Sequence, residues 1–301
     1  GHTITMRFSP GLDRTEGVFS FNNPAVYDSG YSMGLSANIL RRAREDYDEE
    51  RKGFKMSVGK TVLNGVRLGV TPNFEVIGIQ NIDGNAPSII KDQQGSSRKL
   101  SLELTAMINR LDNRMVPTRG YKITSSLEFS SLDVDMIKFV AKGTRYHTVF
   151  NFPDWRGKHV LSYGGTLGMI EATSDEGIPI FENFFAGGAN SIRGFAFRGV
   201  GPTDVTTGEQ IGGKALILAT AEYTVPVYSD MVRGAFFVDA GKADTDLNDI
   251  NVNNLRATLG FGFRAKVPFM GNSVVAIDFG FPFIRKDKDD EQAVTFNFGG
   301  R

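Results

Sequence analysis

The chain has 301 residues, with 34 lysine or arginine and 34 aspartate or glutamate residues, so its formal net charge is zero. This balance argues against nucleic-acid binding, which requires a marked basic excess. The absence of cysteine excludes disulfides and thiolate metal sites. The three histidines, His2, His147 and His159, are scattered, so we expect neither a metal centre nor a cofactor.

About fourteen segments with β character follow one another, at spacings typical of an up-and-down barrel. Residues 100–108 place leucine, alanine and isoleucine on one face and serine, glutamate and threonine on the other. Residues 255–267 alternate in the same way, with Phe261 and its neighbours opposite Arg256 and Arg264. Each such strand therefore has one apolar face and one polar face.

The connections between these segments differ in length. Residues 63–65 and 153–157 are short reversals rich in glycine, proline and asparagine. Residues 44–51, 81–97 and 171–212 are predicted to be long loops. Short turns at one rim and long loops at the other are typical of an outer-membrane barrel.

Two architectures fit this alternation: a soluble sandwich and a membrane barrel with its apolar face toward lipid. Several strands exceed ten residues, which suits a tilted spanning strand. The apolar faces also end in aromatic residues, as at Tyr121, Phe129, Tyr223 and Phe298, which suits an interfacial girdle. We predict an all-β fold, a transmembrane antiparallel up-and-down β-barrel in a lipid bilayer, forming one domain over residues 1–301.

Residues 181–199, FENFFAGGANSIRGFAFRG, interrupt the β pattern. Long insertions between strands are usually functional or disordered, and four phenylalanines within 181–195 argue against disorder. We therefore expect a folded loop that is anchored by an arginine. Its candidate functional residues are Gly187, Gly188, Ile192, Arg193, Gly194 and Phe195.

Residues 191–195, SIRGF, resemble a loop signature of the BamA-like outer-membrane assembly factors in the bacterial surface antigen superfamily. TamA and the two-partner secretion transporters share the same barrel domain. Residues 23–31, 112–121 and 236–241 resemble further segments of that domain, in the same order. The resemblance covers almost the whole chain and implies an outer-membrane location and a barrel of about sixteen strands. We therefore expect two strands and periplasmic repeats to precede residue 1.

The last predicted strand, within residues 293–298, alternates phenylalanine with polar residues, as the ends of those proteins do. The resemblance implies a weak seam between the first and last strands of the barrel. The chain departs from the family by ending in Gly-Gly-Arg instead of an aromatic residue. The candidate seam residues are Val294, Phe296, Asn297, Phe298 and Gly299.

Alternation places Glu222 and Asp239 on the lumenal faces of their strands. A guanidinium pairs with carboxylates through two parallel hydrogen bonds, and an isolated buried arginine is costly. We therefore expect Arg193 to reach both carboxylates, as the resemblance also implies. The alternative is a solvated Arg193 in a mobile loop.

The sequence contains no nucleophile elbow, Walker loop or zinc-protease helix. Glu222 and Asp239 could resemble a hydrolase pair, but next to an arginine they indicate a structural clamp. Other lumenal charges, including Arg264 and Asp278, have both signs and predict no ion-selective pore. We therefore expect that the protein is not an enzyme.

Three functions remain open. The first is an insertase that folds nascent outer-membrane β-barrel proteins through the lateral seam, with accessory assembly proteins bound by the periplasmic region. The second is a secretion or translocation pore of the two-partner or TamA type, gated by the Arg193 loop. The third is a structural barrel or surface antigen.

Overall fold

A computed structural model of the chain describes residues 1–44, 46–154, 157–228, 231–246, 254–267 and 273–298. Fourteen strands form one sheet in which each strand pairs antiparallel with its neighbours in chain order. The predicted up-and-down architecture and strand number are confirmed. A separate pair of two-residue strands, Gly194–Phe195 and Glu291–Gln292, is not part of this sheet.

Within the described residues the strands are β1 (Thr3–Ser9), β2 (Arg14–Asn23), β3 (Tyr31–Ala43), β4 (Asp48–Leu63), β5 (Val66–Gln80), β6 (Gly95–Asn109), β7 (Gly120–Leu132), β8 (Met136–Asn151), β9 (Lys158–Ala172), β10 (Gly194–Phe195), β11 (Ala215–Tyr228), β12 (Val232–Asp244), β13 (Arg256–Val267), β14 (Ser273–Ile284), β15 (Glu291–Gln292) and β16 (Val294–Phe298). Helical structure in the same residues comprises one short helix, α1 (Ser88–Lys91), and 3₁₀ turns at Val26–Asp28 and Ile180–Glu182. No helix in these ranges has the length and apolar character needed to cross a bilayer.

The two faces of the sheet differ as the alternation predicts. On β13, Leu259, Phe261 and Phe263 are between 41% and 51% exposed on the outer face. Arg256 and Thr258, on the inner face of the same strand, are almost completely buried. The apolar side chains therefore point toward lipid and the polar side chains toward the lumen.

The hydrophobic core lies inside the barrel, between the inner wall and the long connection from β9 to β11. We call this connection, residues 173–214, the lumenal loop. Its first part and its middle pack in separate apolar clusters. One contains Ile178, Ile180, Phe181, Tyr47, Ile77, Ile79, Ala86, Ile90, Val134, Met136 and Ile170. The other contains Ala186, Ile192, Phe195, Val200, Leu216 and Ala243.

The three predicted long loops are too long at one end. Residues 48–51 belong to β4, because Asp48 pairs with Ala43 of β3 and with Gln80 of β5. Residues 95–97 belong to β6, and residues 171 and 172 belong to β9. The predicted tight turn at 63–65 is present, with Gly65 at a φ of +75°. The predicted turn at 153–157 includes residues 155 and 156, which lie outside the described residues.

Candidate functional site

Arg193 lies at the tip of the lumenal loop and is completely buried. Its Nε donates to Asp239 Oδ2 at 2.7 Å, and its Nη2 donates to Asp239 Oδ1 at 2.8 Å. The backbone N–H of Arg193 donates to the same carboxylate at 3.1 Å. Asp239 is also completely buried, so one bidentate pair and a backbone bond fix the loop tip on β12.

Further charged groups extend this pair into a network. Arg193 Nη1 donates to Glu222 Oε2 at 2.6 Å and lies 3.6 Å from Asp278 Oδ1. Arg264 donates to Glu222 and to Asp278, each at 2.7 Å. We call these five residues the Arg193 anchor. Burial lowers the pKa of Arg193, but hydrogen bonds and attraction to Asp239, with the charges of Glu222 and Asp278, hold it above its ordinary value.

The anchor is assembled from four consecutive strands, because alternation points Glu222 of β11, Asp239 of β12, Arg264 of β13 and Asp278 of β14 into the lumen. The structure thus brings together Arg193 and both carboxylates that the sequence analysis assigned to it. Arg264 and Asp278 were recognised only as lumenal charges.

Two uncharged residues of the site were missed. Phe237 places its ring centroid 3.3 Å from Arg193 Cζ, so the guanidinium stacks on the aromatic face. Thr220 donates its hydroxyl to Asp239 Oδ1 at 2.6 Å. Each lies two residues from a predicted carboxylate on the same strand, so period-two alternation was the signal for both.

Glycine permits the close approach of the loop tip to the wall. Gly194 has a φ of +89°, and a Cβ there would lie 2.8 Å from Thr258 Cγ2. A Cβ on Gly280 of β14 would lie 2.5 Å from the backbone nitrogen of Gly194. Backbone therefore packs on backbone at this contact, which leaves no room for a side chain.

The remaining signature residues shape the loop tip. Gly187 and Gly188 also have positive φ, and Gly188 N–H donates to the carbonyl oxygen of Ile192 at 3.1 Å. Ile192 and Phe195 are completely buried in the second apolar cluster. These residues make a compact turn that presents Arg193 to the wall.

Glu182, in the 3₁₀ turn at the start of the lumenal loop, forms a second charged contact that the sequence analysis missed. Its carboxylate accepts from Lys99 Nζ at 2.9 Å and Lys138 Nζ at 3.0 Å, and it lies 3.7 Å from Arg51 Nη1. Lys99 also contacts Glu128 at 2.8 Å. We call Glu182, its three cationic partners and Glu128 the Glu182 anchor.

Glu182 is only 4% exposed. Burial raises the pKa of this carboxyl, but the attraction of Lys138, Lys99 and Arg51 outweighs burial and lowers the pKa to about 2. Glu182 is therefore ionised at neutral pH and balances the cations of β4, β6 and β8. The lumenal loop thus crosses the lumen between two walls and carries a charged anchor at each.

The candidate seam residues lie in β16, which pairs with β14 from Val294 to Phe298. Phe296 and Phe298 are 62% and 71% exposed on the outer face. Asn297 points inward, and its Nδ2 donates to Asn190 Oδ1 of the lumenal loop at 2.9 Å. Gly299 lies outside the described residues.

The carboxylates of the Arg193 anchor are engaged by two guanidinium groups, an arrangement that fixes a loop. In the described part of the chain, no cluster of three histidine or carboxylate residues could hold a metal ion.

Residues 1–301 match the Omp85 superfamily domain. Outer membrane protein assembly factor BamA of Neorickettsia risticii is 27% identical over 288 residues, covering 92% of this chain and 38% of that protein. Outer membrane protein assembly factor BamA of Nitratidesulfovibrio vulgaris is 30% identical over 292 residues, covering 93% of this chain and 35% of that protein. The chain thus spans little more than a third of these relatives' length.

A crystal structure of BamA from Haemophilus ducreyi lacking POTRA domains 1–3 superimposes with a TM-score of 0.83 at 19% sequence identity. The match covers 98% of this chain and 64% of that one, and it shows the same fold. The chain therefore belongs to the Omp85 superfamily, and it forms a BamA-like β-barrel domain of the outer membrane.

Proposed function

We propose that this chain is the barrel domain of an insertase, a protein that assembles nascent β-barrel proteins into the outer membrane through a lateral seam at β16. The observation that carries the proposal is the similarity, over 92% and 93% of the chain, to two proteins named as outer membrane protein assembly factors. The partners in this proposal are the lipid bilayer, unfolded client barrels and accessory proteins that bind the remainder of a longer protein.

The strand pairing supports a seam at β16. Within the described residues, this strand has 5 residues, whereas its neighbour β14 has 12 and β4 has 16. Glu291 and Gln292, just before β16, pair with the lumenal loop instead of with β14. Glu291 and Gln292 therefore do not extend the ladder between β16 and β14, and displacement of β16 exposes an edge on which a client strand can add.

A secretion pore is the less favoured alternative. Its substrate would have to pass through a lumen that the lumenal loop crosses and in which two buried charged anchors hold the loop against the wall. Releasing the loop would leave Arg193 and Glu182 without their partners in the wall, which is costly for buried charges. We also propose that the domain has no catalytic role, because Glu222 and Asp239 are both engaged by Arg193.

A disulfide lock tests the seam. Phe296→Cys would be paired with a cysteine scanned along the first barrel strand of the full-length protein, reconstituted in liposomes. The lock should abolish assembly of client barrels, and reduction should restore it. A control disulfide between positions 58 and 70 joins Val58 and Val70, which already face each other on β4 and β5, and should leave assembly unchanged.

Normal client assembly by the oxidised seam lock, with the disulfide verified by mobility shift, would reject the insertase. Loss of assembly in the control as well would show that any rigid cross-link blocks the protein, which would also contradict a specific seam.

A further inference from the structure

The segment that leads into β16 lies on the tip of the lumenal loop. β15 pairs with β10, so that Gly194 faces Gln292 and Phe195 faces Glu291. The pairing is extended by the N–H of Ala196, which donates to the Asp290 carbonyl at 2.8 Å. The backbone of the segment immediately before β16 is therefore hydrogen-bonded to the loop.

A second contact joins the loop to β16 itself. Asn297 is the inward-facing residue near the end of β16, and its side-chain amide donates to Asn190 Oδ1 at 2.9 Å. Asn190 is exposed within the lumen and lies three positions before Arg193. This hydrogen bond thus links the last strand to the same turn that presents Arg193 to the wall.

A third contact involves β14, the strand on which β16 pairs. Gly280 of β14 packs against Gly194 of the loop tip, and its N–H donates to the carbonyl oxygen of Ala293 at 2.8 Å. Asp278 of the same strand belongs to the Arg193 anchor and faces Thr295 of β16. One short stretch of β14 therefore contacts both the loop tip and the last strand.

We propose that the lumenal loop sets the position of β16, with Asn190 and Asn297 as the positioning residues that couple the two. In the described part of the chain, β16 pairs with β14 at five positions, and the hydrogen bond between Asn297 and Asn190 adds a contact on its inner face. The biological meaning of this coupling rests on the proposed function, in which β16 forms the seam. The coupling itself can be measured without any client protein.

The experiment uses the full-length protein in nanodiscs with spin labels at positions 298 and 238, which face lipid on β16 and β12. Asn190→Ala changes no residue of the sheet, yet it should broaden the distance distribution between the labels. Backbone amides of β16 should also exchange with solvent roughly fivefold faster, as expected for the loss of one hydrogen bond. The matched control is Asn38→Ala on β3, which should change neither measurement.

A double-mutant cycle makes the test specific to the pair. Asn190→Ala with Asn297→Ala should have no greater effect than either change alone, because each removes the same hydrogen bond. Arg193→Ala should broaden the distance distribution further, since it releases the whole loop tip. Unchanged distances and exchange rates in Asn190→Ala, or additive effects of the two alanines, would overturn the coupling.

Client assembly by the same variants distinguishes this inference from the proposed function. If Asn190→Ala frees β16 but leaves assembly unchanged, the coupling stands and the role of β16 as the seam is contradicted. If β16 keeps its wild-type position in that variant, the coupling is wrong whatever the assembly rate, and the seam lock at position 296 still tests the insertase.

Discussion

The two anchors of the lumenal loop have opposite charge arrangements. At one, a loop cation, Arg193, lies among carboxylates of β11, β12 and β14. At the other, a loop anion, Glu182, lies among cations of β4, β6 and β8. The loop therefore carries a charge complementary to each wall, and its two contacts cannot be exchanged with each other.

The anchors also differ in geometry. The guanidinium of Arg193 makes a bidentate pair with Asp239 and stacks on Phe237, and these contacts fix its plane. Glu182 is bound by two lysines, which act as point charges on flexible stems. We infer that the Arg193 anchor determines where the loop tip lies, whereas the Glu182 anchor mainly neutralises buried charge.

The largest effect is expected from Arg193→Ala. It leaves Asp239 buried without its bidentate partner, and loss of one member of a buried pair costs about 3–5 kcal/mol. The barrel should remain folded, but proteinase K should cleave the lumenal loop of the detergent-solubilised protein much faster than in the parent. Equal cleavage rates would contradict the Arg193 anchor. Arg193→Lys retains the charge but not the bidentate geometry, so it should protect the loop from cleavage only in part.

A smaller effect is expected from Glu182→Gln. The amide keeps the shape of the side chain but removes its charge, while Lys99 retains Glu128 as a partner. Hydrogen bonds to charged groups contribute about 1.5–3 kcal/mol, so cleavage of the loop should rise less than in Arg193→Ala. Glu176→Gln, at an exposed position of the same loop, is the matched control. Faster cleavage of the loop in Glu182→Gln than in Arg193→Ala would contradict this ranking of the two anchors.

The smallest expected effect is that the stabilisation of the loop by Glu182 depends on pH. The pKa of Glu182 is lowered from 4.5 to about 2 in the folded protein, so its stabilisation is complete above pH 4.5 and is lost as the pH falls through 2. The ratio of pepsin cleavage rates between Glu182→Gln and the parent should therefore fall toward one between pH 4.5 and 2. A constant ratio over this interval would show that the charge of Glu182 does not stabilise the loop.

The Arg193 anchor could be predicted in outline because its wall residues lie on strands with clear period-two alternation. Glu222 has Ala221 and Tyr223 on either side, which assigns its face without any tertiary information. The resemblance to the family indicated the same partners. Arg264 and Asp278 were placed in the lumen for the same reason, but alternation does not specify how far along the strand axis two side chains lie.

The Glu182 anchor could not be predicted in this way. Glu182 lies in a 3₁₀ turn between Phe181 and Asn183, where no periodicity assigns a direction to the side chain. Its partners come from β4, β6 and β8, and Lys99 precedes it by 83 positions. The start of β4 was missed because residues 48–52, DEERK, have charges on both faces, and pairing with β3 and β5 makes them a strand.

The pairing of β10 with β15 has a consequence for the order of folding. The loop tip precedes the strands that hold it in the sequence, since Asp239, Asp278 and Gln292 all follow Arg193. Such contacts between distant residues form late and slow the folding of a domain. An intermediate that has completed β12 but not β14 therefore has Glu222 and Asp239 available to Arg193, while Asp278 and the backbone partner of Gly194 are still absent from the wall.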